Sequence, residues 1–282
     1  WDTLKSIEAE EKWAQKKEEL ERKTKRNRLL SMKEVSKSRT LGLAIFILPL
    51  LAVNSILILS QSFEFKLDPV PGNYYNDIKI YTAGDGLRDK QDIPRLGFAI
   101  PYIDGTTSIS RLGRVFPNWL IFKPLMIFTG ILLCCFWRNQ KKIFEDLVVN
   151  QRLVNKFYYF GLISGITLII HIIFLGIKYD NDLYKFLVRL NLACCVLFAI
   201  STKFYFVKCV KKISETYLDL KNVFFKIQYF LTYILIIILF LSLFLLLFEN
   251  SKTFILIVEW NYFFAIFLFY LLYSLSWRKV TI

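Results

Sequence analysis

Six long apolar segments, separated by polar connections, dominate the pattern of this chain. Each approaches the ~20 residues that an α-helix needs to cross the hydrocarbon core of a bilayer. The pattern therefore predicts six membrane-spanning helices, at about 41–60, 119–137, 157–177, 186–207, 227–248 and 254–277. Pro49 and Asn54 interrupt the first, which a membrane helix tolerates where its neighbours satisfy the freed backbone groups. The predicted fold class is all-α transmembrane, a six-helix bundle.

One long polar segment lies between the first two spans, at about 61–117. It is too rich in helix-breaking residues to form a long helix. These residues are Pro69, Pro71, Gly72, Gly84, Gly86, Pro94, Gly97, Pro101 and Gly105. Residues 78–83 alternate between apolar and polar positions, as a short strand does. We expect a folded lid outside the membrane, with one or two short strands.

Residues 1–40 form a highly charged segment before the first span. Its mixed Glu and Lys residues favour a helix with ion pairs along its surface. The end next to the membrane is basic, and its cationic residues are Arg22, Lys23, Lys25, Arg26, Arg28, Lys33, Lys37 and Arg39. Such a cluster attracts anionic headgroups, by about 1 kcal/mol per charge near the surface. The simpler interpretation, which we favour, is an ordinary positive flank of a membrane helix.

The distribution of charge predicts the orientation of the chain. The formal net charge is +14, but the cations lie in the N-terminal segment and in alternate short connections, which argues against nucleic-acid binding. The positive-inside rule then predicts that both termini are cytoplasmic and that the 61–117 loop is lumenal or extracellular. We expect an integral protein of an endomembrane (ER, Golgi or lysosome) or of the plasma membrane. Because the chain begins with Trp1, we also expect residues upstream of it.

The composition favours a membrane protein without catalytic chemistry. The chain is 55% hydrophobic and only 21% charged, which is too apolar for a soluble domain. Its five cysteines avoid the polar loop, so we interpret them as buried apolar side chains and not as disulfides or metal ligands. Neither a phosphate-binding loop nor a nucleophile–base pair is evident, so we predict no catalytic residue, no metal and no cofactor.

Glu259, Trp260 and Asn261 open the sixth span and are its most informative residues. A carboxylate at the mouth of a membrane helix is costly unless a partner holds it. Arg189, at a similar predicted depth in the fourth span, is the expected partner. One interpretation is a polar pocket that receives a lipid headgroup. The other, which we favour, is a clasp between helices.

Other polar residues lie inside the predicted spans. Asn191 accompanies Arg189 in the fourth span and belongs to the same candidate pocket. His171, in the third span, is expected to be a satisfied hydrogen-bonding residue between helices and not a catalytic base. Lys203 lies near the predicted cytoplasmic end of its span, so we expect its amine to reach the interface.

Four features of this chain resemble the Frag1/DRAM/Sfk1 family of six-span membrane proteins. They are the large loop after the first span, the loop's end at Pro101, Tyr102, Ile103 and Asp104, the basic connection that starts at residues 138–140, and Glu259–Trp260. The resemblance extends over about 41–279. The chain departs from the family pattern because it lacks a Ser before Asp104. It also lacks a His in the fourth span.

The resemblance implies lipid handling or scaffolding without catalysis. Our first hypothesis is therefore a non-enzymatic membrane protein that supports lipid remodelling, lipid distribution or lipid transfer. Its partners would be membrane lipids, together with proteins that bind residues 1–40 and the 61–117 loop. A purely structural subunit of a large membrane complex is one alternative. Another is a membrane-embedded enzyme that remodels glycolipids or GPI anchors, using Glu259 and His171.

Overall fold

The computed structural model describes residues 33–62, 65–66, 92–93, 100–114, 117–147, 150–176, 182–216, 223–245 and 252–279. Its elements in chain order are α1 (Lys33–Ser62), β1 (Phe65–Lys66), β2 (Asp92–Ile93), α2 (Pro101–Asp104), α3 (Ile109–Leu112), α4 (Asn118–Asp146), α5 (Gln151–Phe174), α6 (Asp182–Thr216), α7 (Val223–Leu245), α8 (Lys252–Ser276) and a 3₁₀ turn (Trp277–Lys279). The predicted N-terminal helix up to residue 32 and the predicted strand at 78–83 lie outside these ranges.

Six of these helices, α1 and α4 to α8, are long and apolar enough to cross a membrane. This confirms the prediction of six spans. Large apolar side chains also cover the outside of the bundle, including Leu51, Ile58, Phe230, Ile237 and Phe240. A surface of this kind suits hydrocarbon and not water, so the chain is a multispanning membrane protein.

The long helices alternate in direction and define two faces of the bundle. Helix α5 packs between α4 and α6, and α7 packs on α8. We call the end that carries α2 and α3 the loop face, and the end that carries Lys33 and Ser276 the terminal face. Asn118 donates to Ser60 Oγ at 2.8 Å near the loop face. At the terminal face, Asn139 donates to the Glu34 carbonyl at 2.7 Å, so α1 and α4 are antiparallel.

Helix α4 is longer than the sequence pattern predicts. The predicted span ends at 137 and a basic connection follows, but the helix continues to Asp146. Asn139 and Gln140 are buried inside the bundle and not exposed in a connection. Gln140 Nε2 donates to the Tyr273 hydroxyl of α8 at 2.6 Å. These buried amides stay in a helix because they have partners on neighbouring helices.

Helices α4 and α5 approach closely at two glycines. A Cβ atom on Gly165 would lie 2.6 Å from Cys134 Sγ and 2.9 Å from the Gly130 carbonyl oxygen. Neither distance leaves room for a methyl group. Small residues let membrane helices pack at short range, where dispersion supplies the attraction.

Aromatic rings fill the bundle at the terminal face. We call this the aromatic plug, and its residues are Trp137, Phe144, Phe157, Phe206, Tyr273 and Trp277. Each is at most 1% exposed. The Phe206 ring lies 5.7 Å from the Trp137 ring and 5.8 Å from the Tyr273 ring, centroid to centroid. Edge-to-face contacts such as that of Phe206 with Trp137 stabilise the packing beyond the area that they bury.

Candidate functional site

A short cap, residues 100–114, covers the loop face of the bundle. Pro101 begins α2, where its missing N–H is no loss. Gly105 ends that helix with φ 59°, a left-handed conformation that glycine adopts without strain. The Ser108 side chain then caps α3 by accepting from its third backbone N–H. The result is two single-turn helices with defined ends.

Glu259 binds the cap through backbone N–H groups. The Ile109 N–H donates to Glu259 Oε1 at 3.2 Å, and the cationic side chains of Arg111 and Arg114 lie close enough to act on the carboxylate. The expected partner, Arg189, is exposed on α6 and forms no ion pair with Glu259. That prediction was wrong because a similar depth along two helices does not place two side chains on facing sides.

Trp260 and Asn261 complete the contact between α8 and the cap. The Trp260 indole is fully buried and donates to the Thr107 carbonyl at 2.7 Å. Asn261 Nδ2 donates to the Tyr102 carbonyl at 2.8 Å. With Glu259, three consecutive residues of one helix each hold a different point of the cap. The predicted clasp between spans is therefore not what these residues form: they join α8 to the cap.

Beneath the cap lies a cavity of about 340 Å³ between α4, α5, α6 and α8, within the ~300–1,000 Å³ range of ligand pockets. Most of its walls are apolar side chains such as Met126, Leu168 and Phe263. It extends from Glu259 near the loop face to Tyr270, which is roughly 16 Å along α8 at 1.5 Å per residue. Glu259 therefore both contacts the cap and lines a cavity.

His171 lines this cavity together with Glu259, so the structure brings these two predicted residues into one site. The expectation that His171 is fully satisfied was wrong. Its Nδ1 atom is buried and has no hydrogen-bond partner within the described parts of the chain. Asn191 instead bonds the neighbouring helix, donating to the Thr167 carbonyl at 3.0 Å. Asn191 lies outside the main cavity, in a smaller apolar pocket that also contacts His171.

Lys203 is the cavity residue whose position the sequence analysis missed. It is fully buried, and its Nζ donates to the Ala199 carbonyl at 3.2 Å. The amine lies 5.0 Å from the Tyr270 ring centroid and 5.4 Å from that of Phe269. The expectation that it reaches the interface was wrong, because its side of α6 faces the interior. No sequence signal shows this, since the apolar residues of α6 are not confined to one side of the helix.

The remaining predicted residues fall in several places. Within α2, Ile103 is exposed, while the Tyr102 hydroxyl lies 3.5 Å from Asn54 Oδ1. Burial raises the pKa of Tyr102 above its ordinary value, so the phenol keeps its proton.

The basic cluster before the first span lies partly within the described ranges. Lys33 and Lys37 are exposed on α1, and Arg39 donates to the Ser274 carbonyl at 3.3 Å. Its members from 22 to 28 lie outside the described ranges.

The fold and the site together define a multispanning membrane protein with a capped internal cavity. Comparison with models of known protein families, with curated proteins and with solved structures gives no match to this chain. The geometry of the cavity is therefore the basis for a functional proposal.

Proposed function

We propose that this protein binds a membrane lipid in the cavity beneath the cap, and that it handles lipid without catalysing a reaction. The observation that carries this proposal is the cavity itself. It lies inside a membrane-spanning bundle, its walls are mostly apolar, and it has a carboxylate at one end and an amine at the other. An amphipathic molecule matches that arrangement.

The energetics of packing favour an occupant. Protein interiors are normally close-packed, and atoms that line a void lose dispersion contacts. In a bilayer the nearest source of apolar atoms is an acyl chain. Leu192 lines the cavity and is 41% exposed on the outer surface of α6, so the site adjoins the lipid-facing surface. A lipid chain that enters here restores the missing contacts.

Filling the cavity with a side chain tests this proposal. Ala199 lines the cavity and is 8% exposed, whereas Ala193 of the same helix is exposed and lies outside the cavity. We expect wild-type protein purified in mild detergent to retain a lipid in stoichiometric amount, detected by mass spectrometry of the extract. Ala199→Phe should lose that lipid, and the matched control Ala193→Phe should retain it. Equal lipid content in both variants would refute the proposal.

The resemblance to the Frag1/DRAM/Sfk1 family supports the same function and stays a prediction. The assignment to an endomembrane or the plasma membrane also stays a prediction. The proposal keeps protein partners for residues 1–40 and for the 61–117 loop, and most of those residues lie outside the described ranges.

The hypothesis of a purely structural subunit makes a different prediction for the cavity. If it holds, Ala199→Phe should leave the assembly of the complex and the activity of the complex unchanged.

A glycolipid-remodelling enzyme is the second candidate, because Glu259 and His171 line one cavity and His171 Nδ1 has no partner among the described residues. This hypothesis predicts turnover of an acylated glycolipid by the purified protein. His171→Ala should abolish that turnover without changing the thermal stability of the protein. Purified protein that retains a lipid but leaves such substrates intact would exclude this candidate.

A further inference from the structure

The amine of a lysine lies at the deep end of the cavity, and no carboxylate among the described residues pairs with it. Lys203 is 0% exposed, and the bond to the Ala199 carbonyl uses one of the three donors of its ammonium. No described carboxylate lies within 4.0 Å of its amine. Glu259 is at the other end of the cavity, roughly 16 Å along α8 from Tyr270, whose ring lies beside the Lys203 amine. A charge in this position is costly unless something pairs with it.

The residues around Lys203 prevent its side chain from reaching the membrane interface. Long basic side chains normally extend to the interface. Here the aromatic plug lies between Lys203 and the terminal face, with Phe206 and Tyr273 each fully buried. The Phe269 and Tyr270 rings flank the amine on the α8 side. The open volume next to Lys203 is therefore the cavity.

We propose that Lys203 binds the anionic group of a single-chain amphiphile, whose acyl chain extends through the cavity toward Glu259. This inference rests on the proposed lipid-binding function and names its ligand class. A fatty-acid carboxylate and the phosphate of a lysophospholipid both supply the required charge. Either would form a charge-assisted hydrogen bond in a low-dielectric site, where such bonds are strong.

The dimensions of the cavity favour one chain over two. Its length of roughly 16 Å is about half of the ~30 Å hydrocarbon core, which is the depth that one acyl chain spans. Its volume of about 340 Å³ is near the lower end of the range for ligand pockets. His171 and Glu259 near the loop face offer polar contacts to the distal end of the chain or to a second polar group.

Matched probes test the proposal with the full chain reconstituted in phosphatidylcholine nanodiscs. We would measure binding of three photoreactive probes of equal chain length: a fatty acid, the corresponding alcohol and a lysophosphatidate. Wild-type protein should bind at least one anionic probe roughly tenfold more tightly than the alcohol, since a charged hydrogen bond is lost with the alcohol. Lys203→Met should bind all three probes equally, at the wild-type affinity for the alcohol. Lys203→Arg should keep the preference for an anion.

A second lysine of the same helix supplies the control. Lys208 is exposed, and its amine lies 4.1 Å from the Phe204 ring centroid, so Lys208→Met removes the same charge outside the cavity. It should bind the probes as wild type does. Retained binding of the alcohol by Lys203→Met shows that this variant is folded.

The outcomes separate the two proposals. If wild-type protein binds none of the probes, lipid binding itself fails. If it binds acid, phosphate and alcohol equally, lipid binding stands and the role of Lys203 is overturned. The role of Lys203 is likewise overturned if Lys203→Met keeps the preference for an anion. A preference for the fatty acid or for the lysophosphatidate identifies the source of the anionic group.

Discussion

Replacing Trp260 with Phe should loosen the contact between α8 and the cap while keeping a buried aromatic ring at this position. The substitution keeps a buried aromatic ring and removes one N–H, which donates to the Thr107 carbonyl at 2.7 Å. The indole is 0% exposed, so no water replaces the lost donor. Loss of one such buried hydrogen bond costs about 1–3 kcal/mol, which corresponds to a roughly 5- to 150-fold larger population of the open cap.

Hydrogen exchange followed by mass spectrometry measures that opening directly. Backbone amides of residues 100–114 should exchange faster in Trp260→Phe by the factor given above, while amides in the middle of α4 and α5 should be unchanged. Trp119→Phe is the matched control, because the Trp119 indole N–H is buried near the same face and has no hydrogen-bond partner in the described structure. This control should leave exchange in the cap at the wild-type rate. Equal exchange in the two variants would refute the role assigned to Trp260.

Three further substitutions test the packing of the bundle, each by thermal unfolding in detergent. Gly165→Ala should destabilise the protein by about 1–3 kcal/mol, because a Cβ would lie 2.6 Å from Cys134 Sγ; an unchanged midpoint would contradict the close approach of α4 and α5. Gln140→Leu should cost about 1 kcal/mol, since it removes the hydrogen bond that the buried Tyr273 hydroxyl accepts from Gln140 Nε2; an unchanged midpoint would contradict that contribution. Lys203→Met should leave the lipid-free protein as stable or more stable, because it removes a buried amine that no described carboxylate neutralises; a lower midpoint would show that the amine stabilises the lipid-free fold.

The sequence predicts the spans well because crossing a bilayer requires a long apolar helix, and composition alone reveals it. It does not predict where a helix ends once polar residues are buried. Asn139 and Gln140 look like the start of a connection, yet both lie inside α4 with partners on α1 and α8. Their partners are distant in sequence, so only the assembled bundle identifies them.

For the candidate site, too, the sequence identifies some of the important residues but not the partners that they contact. Glu259, Trp260 and Asn261 stand out in the sequence because polar groups in a membrane helix need partners. The identity of those partners depends on how each helix is rotated about its axis, which the sequence does not reveal when apolar residues are spread around the whole helix. Arg189 therefore seemed suitable as a partner but is exposed, whereas Lys203 seemed peripheral but faces the cavity.

The aromatic plug closes the cavity at the end that points toward the terminal face. A molecule that enters from the loop-face half of the bundle has to leave by the same route, unless the fully buried rings of Trp137, Phe206 and Tyr273 separate. A lipid bound as proposed would therefore exchange with one leaflet only. If the protein binds lipid as proposed, this geometry suits presenting or storing a lipid on one side of the bilayer, and passage of the lipid from one leaflet to the other would require a different structure at the terminal face.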